Sequence, residues 1–133
     1  MLVSKIKEQL YNLLLSLNYN ATDKGIYEEK FPWLMVRTNT YRRADSFDLR
    51  HDKIILTIDI FSKYSGEKEV LEIVENISNN IHTLKKENEA IMYIEQNHCV
   101  ILDDNSTGPV RKHAVLSYEF TCVSSLMEEE SDE

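Results

Sequence analysis

Ser46, His51 and Asp52 are the residue types of a nucleophilic hydrolase, and they fall within seven residues of one another. Such chemistry needs a nucleophile, a base and an orienting group converging from rigid supports, with oxyanion donors beside them. One charged segment with no nucleophile elbow and no oxyanion-hole glycines supplies none of that, so a solvated loop is expected there. His82, His98 and His113, with Cys99, Asp103 and Asp104, are metal-ligand types without the His-x3-His or Cys-x2-Cys spacing that places ligands around one ion. Asp59, Glu72 and Glu75 could imitate a nuclease carboxylate cluster, but no lysine stands at a strand spacing to complete it.

Phosphate chemistry is no better supplied. The chain holds only Gly25, Gly66 and Gly108, too few for a glycine-rich cradle. Asn20, Asn76 and Asn105 open glycosylation-like triplets that read as chance in an Asn-rich chain. No catalytic, cofactor or metal site is expected, and the chain is not expected to be an enzyme.

The one basic concentration is Arg37, Arg42, Arg43, Arg50 and Lys53, with Asp45, Asp48 and Asp52 interleaved. Balanced charges of this kind suit an exposed loop or an electrostatic contact with another protein, where they steer and orient more than they add affinity. Nucleic-acid recognition is not expected, because no aromatic platform or unopposed basic stripe accompanies the arginines.

These residues must be positioned by the elements around them. Val3, Ile6, Leu10, Leu13, Leu14 and Leu17 recur at intervals of three and four, which predicts a helix over Leu2 to Leu17. Asn18 and Asn20 suit its end. Tyr19 to Lys30 reads as a polar connection, with a short strand around Ile26 and Tyr27. Trp33 to Thr40 alternates as a strand, with Leu34, Val36, Thr38 and Thr40 on one face and Met35, Arg37, Asn39 and Tyr41 on the other.

A charged loop, YRRADSFDLRHD from Tyr41 to Asp52, then leads to a strand over Lys53 to Phe61. Ile54, Leu56, Ile58 and Ile60 share one face of it. Ile55, Thr57, Asp59 and Phe61 form a mixed face expected to be partly exposed or to meet a partner. Gly66, Glu67 and Glu69 suit a helix start, and Val70, Ile73, Val74, Ile77, Ile81 and Leu84 give a core stripe of four turns or more. Ile91 to Leu102 reads as a strand with a bend or bulge at Gln96 to His98. The turn signal DDNSTGP leads into a last strand over Val110 to Val123, which faces it as a hairpin.

The fold class that follows is α+β, with two helices on one face of a mainly antiparallel sheet in the order α-(β)-β-β-α-β-β. The chain of 133 residues is long enough for one domain with its own core, over residues 1–127. The net charge of −8 is uneven: the last six residues, EEESDE, hold five acidic groups, leaving 15 basic against 18 acidic before them. Residues 128–133 are expected to be a solvated, disordered tail. No run is long and apolar enough to span a bilayer, and no signal-peptide pattern is present, so a chain made and used inside a cell is expected. Cys99 and Cys122 are expected as free thiols.

Three stretches carry a family resemblance: the N-terminal helix, the strand IILTIDIFSKYSG leading into EVLEIVENI, and the closing strand VRKHAVLSYEFTC after DDNSTGP. In this order, with Phe61-Ser62 followed by a Glu-Val-x-x-Ile helix and Arg111 before the last strand, the chain resembles the tail terminator (tail completion, tail-to-head joining) proteins of long-tailed bacteriophages. The resemblance runs from about Leu2 to Val123. It implies a structural protein without cofactor that forms a ring, commonly a hexamer, caps the finished tail tube, ends tube polymerisation and offers a surface to the head-side connector. It implies a place in the virion, at the head–tail interface, after assembly in the host cytoplasm. The partners implied are further copies of the chain, the major tail tube protein and the head-side connector. A stopper or adaptor on the head side is the alternative, and a small ligand-binding protein or enzyme stands further off. Under this reading the candidate contacts between copies or with the tube are Arg37, Tyr41, Arg42, Arg43, Asp45, Asp48, Arg50, Thr57 and Asp59. The acidic end is not part of the family pattern.

Overall fold

The structure is a computed structural model of the chain. It describes residues 2–22, 30–45, 49–105 and 107–125, with side chains described at all of these except 43–45, 49–50 and 124–125. The expected strand at Ile26 and Tyr27, Ser46 and the acidic tail lie outside the described residues.

Helix α1 spans Leu2–Ser16 and buries Leu2, Ile6, Leu10 and Leu14, one residue per turn along a single stripe. Asn18 then takes φ 70°, a left-handed conformation that Asn tolerates and that turns the chain out of the helix. Strand β1, Asn20–Thr22, pairs parallel with the start of β2, Trp33–Asp45. Strand β3, Leu49–Ser62, returns antiparallel to β2, with Trp33 opposite Phe61 and Asp45 opposite Arg50. The expected loop of Tyr41 to Asp52 is therefore mostly strand. Arg42, Arg43, Asp45, Arg50 and Asp52 are strand positions on the two arms of a long hairpin, and only residues 46–48 lie between the arms.

Helix α2, Lys68–Asn80, follows with Val70, Ile73 and Ile77 buried. It ends earlier than the stripe suggests. A 3-10 turn, Ile81–Thr83, and a single-turn helix α3, Leu84–Glu87, carry Ile81 and Leu84 into the core instead. Strands β4, Ile91–Asp103, and β5, Lys112–Ser125, form the closing hairpin, with Cys99 opposite Leu116 and Val100 opposite Val115. The last strand begins at Lys112, not Val110, whose side chain is nevertheless buried.

The result is an α+β fold with a five-stranded mixed sheet in the order β1-β2-β3-β5-β4. One buried cluster joins the α1 and α2 stripes to Leu34, Val36, Ile54, Leu56, Ile58, Ile60, Ala114, Leu116, Tyr118, Phe120 and Cys122. Burying each large aliphatic side chain in it stabilises the fold by about 1.5–3 kcal/mol before entropy is counted. Polar ties pin the helices: Asn76 Nδ2 donates to Tyr19 Oη at 2.8 Å, and the Ser78 and Tyr118 hydroxyls share a 2.6 Å bond. No helix among the described residues is long and apolar enough to cross a membrane.

Candidate functional site

Alternation on β2 and β3 sends a second set of side chains to the opposite face of the sheet. There Asp59 is 2% exposed. Its Oδ2 accepts from Arg37 Nε at 2.7 Å, and its Oδ1 lies 2.9 Å from His113 Nε2. An ionised carboxylate only accepts, so His113 Nε2 carries the proton. Burial alone would raise the Asp59 pKa, but the bonds and charges of His113 and Arg37 outweigh it and hold the carboxyl below its usual value. Beside this cluster Trp33, Phe61 and His113 stack in register, with centroids 4.7 Å and then 4.5 Å apart. One row further along, the Thr57 and Ser117 hydroxyls meet at 2.9 Å, and Asn39 Nδ2 reaches Thr57 Oγ1 at 3.4 Å.

Thr57 and Asp59 are thus not the exposed contact residues expected of them: both are buried. Each is satisfied across the sheet by a neighbouring strand, which makes this row a fixed support for what lies around it. Tyr41 also departs from expectation. The β2–β3 register slips between Thr38 and Thr40, so Tyr41 falls opposite Ile54 and packs against the core instead of sharing a face with Arg37.

Arg37 and Arg42 remain at the surface. Arg37 keeps 46% of its side chain exposed while Asp59 holds its head. Arg42 is exposed and stands directly opposite Lys53. Lys53 lies 3.7 Å from Glu119 and donates to Thr121 Oγ1. Among the described residues, Arg42 has no ion pair. The backbones of Arg43, Asp45 and Arg50 are placed in the hairpin, opposite Asp52, Arg50 and Asp45. Asp48 lies outside the described residues.

His113, Phe61 and Ser117 are the site residues that strand-by-strand reading misses. In the sequence His113 stands out only as a metal-ligand type. Among the described residues no group of three or more His, Cys, Asp or Glu could hold a metal ion, and no hydroxyl or thiol bonds the other nitrogen of His113. The Asp59–His113 bond, with Arg37 on the other carboxylate oxygen, ties β2, β3 and β5 together across this face. Cys99 and Cys122 are free thiols; burial pushes both up, Cys122 to about 12 with the charge of Asp52 adding to it. A cavity of ≈ 340 Å³ lined by Tyr64, Gly66, Lys68, Glu69 and Glu72 shares no residue with the hairpin.

No family model matches the chain, and no curated protein matches its sequence.

Proposed function

We propose that this chain is a phage tail terminator: an oligomeric ring that caps the completed tail tube, ends its polymerisation and presents the surface for head joining. In this reading the helices back one face of the sheet and leave the hairpin, the second face and the sheet edges for assembly. The observation that carries it is the pair Arg42 and Lys53, two cations held side by side on a long hairpin. Glu119 meets Lys53 within the chain, which leaves Arg42 the cation for which an acidic partner surface provides a counter-charge. The sequence resemblance supplies the class of partner: further copies of the chain, the tail tube and the head-side connector.

Negative-stain electron microscopy of the purified chain tests this. Rings of tail-tube width, seated on tube ends when tubes are added, are the expected result. The double variant Arg42→Glu, Arg43→Glu should keep a wild-type circular dichroism spectrum and melting curve while losing tail completion. Normal tailed particles from that variant would overturn the assignment, and binding to tailless heads alone would move the chain to the stopper or adaptor class.

A further inference from the structure

Among the described residues the sheet has two long edges that no strand pairs. On one side β1 covers only Trp33 to Met35, so among the described residues no strand pairs the outer side of β2 from Val36 to Asp45. On the other side β4 pairs with β5, and among the described residues no strand pairs its outer side. Unpaired strand edges are templates for another strand. Strand β4 also exposes apolar side chains on either side of a polar centre: Tyr93 is 55% exposed, Val100 43% and Leu102 46%.

The two edges fit each other. Strand β2 runs antiparallel to β3, β3 to β5 and β5 to β4, so the outermost long strands run in opposite directions. Repeating the chain by rotation about an axis along the strands therefore lays β2 of one copy antiparallel to β4 of the next, with like faces together. A bulge in only one edge would throw those faces out of phase. Strand β2 carries one at Asn39, and β4 carries one at Asn97 and a second at its start, between Ile91 and Tyr93.

Two registers bring the slips at Asn39 and Asn97 into the same window and match faces on both sides of it. In the first, Arg42 meets Tyr93 and Arg37 meets His98. In the second, Arg42 meets Glu95, Arg37 meets Val100 and Thr38 meets Cys99. Charge selects the second, since Arg42, which has no ion pair among the described residues, then faces an exposed carboxylate and the stem of Arg37 covers an exposed valine.

We propose that copies of this chain join head to tail through β2–β4 edge pairing in this register, extending one sheet from copy to copy. The proposal rests on the self-association part of the function above and names the surfaces that perform it. The next copy ends at β1 on one side, where β2 is already paired, and at the second β4 bulge, between Ile91 and Tyr93, on the other.

Thr38 is exposed and, in this register, lies across from the native Cys99 of the neighbouring copy. Directly opposed strand residues have Cβ atoms roughly 4.5–5.5 Å apart, close enough for a disulfide after small adjustment. The full chain carrying Thr38→Cys, treated with diamide as the two-electron acceptor, should give a covalent ladder on a non-reducing gel. Thr38→Cys with Cys99→Ser, and Thr40→Cys alone, should give none; buried Cys122 cannot substitute. Arg42→Glu should raise the dissociation constant of self-association about tenfold, and adding Glu95→Arg should restore most of it. Circular dichroism melting confirms that each variant folds. Oligomers by light scattering without the Thr38→Cys ladder overturn edge pairing and leave the ring standing. Monomers at every concentration, also without a ladder, overturn both.

Discussion

Asp59 holds the second face of the sheet together, because Arg37 and His113 both close on one buried carboxylate. Its folded pKa lies below the ordinary value of 3.8. The stabilisation it contributes is therefore complete above the unfolded pKa and is lost as pH falls through the lower folded one. Asp59→Asn should lower stability by about 1–3 kcal/mol at neutral pH, the smaller figures reflecting the half-exposed Arg37. In urea denaturation, the gap between variant and wild type should narrow below about pH 4. A gap that stays constant into strong acid contradicts the assignment of the interaction to an ionised Asp59. None of this cluster can be seen in the order of residues alone. Arg37 lies 22 positions from Asp59 and His113 lies 54 away, so only the strand register makes them neighbours. Alternation marks Thr57 and Asp59 as polar positions on a strand, and polarity suggests exposure until the partners are known. Simple alternation puts Tyr41 on the wrong face for a related reason: one extra residue, Asn39, inverts everything after it, and nothing in the local composition signals the bulge.

Among the elements, apolar stripes were the legible part. The four isoleucine and leucine positions of β3 are buried, as are Ile6, Leu10 and Leu14 of α1 and Val70, Ile73 and Ile77 of α2, while Val3, Leu13, Leu17 and Val74 flank these stripes half-buried. The end of α2 was less legible because Ser78, Asn79 and Asn80 are weak helix residues that compete locally for backbone bonds. The Asn80 side chain donates back to Asn76 O at 2.8 Å, and the chain tightens into a 3-10 turn. The hairpin arms were hidden by charge, since Arg and Asp read as loop although an edge strand carries them readily. The bulges give the element-scale prediction. Removing Asn39 lets Thr40 follow Thr38 in a regular ladder with β3, so the fold should survive with a melting shift of only about a few degrees. The same deletion turns Arg42 toward Gln96 of the next copy instead of Glu95, and self-association should weaken about tenfold or more. Deleting Asn97 as well brings both edges back into phase. Sedimentation equilibrium on the two deletions and their combination measures this, and a double deletion no better than the single one would count against matched bulges.

For the whole molecule, the decisive question is whether head-to-tail pairing closes. Edge-to-edge contact between unlike surfaces produces a ring when the rotation per copy divides a full turn, and an open filament when it does not. Sheet twist bears on this directly, because adjacent strands rotate by roughly 20–25° and four strands, β2, β3, β5 and β4, lie between one junction and the next. Each bulge increases local twist, so the two slips that align the faces also help set the rotation between copies. A cap for a tube must close, whereas a filament would go on recruiting subunits and cap nothing. The oxidised Thr38→Cys ladder should therefore end at one top band, matching the mass of the largest native species by sedimentation velocity. That mass should stay constant as concentration rises, because a closed ring leaves neither edge free. A ladder without an end, with mass growing continuously with concentration, would keep the edge pairing and remove the tail-capping role. The same sheet would then be the repeating wall of a polymer, and the arginines of β2 its growing end.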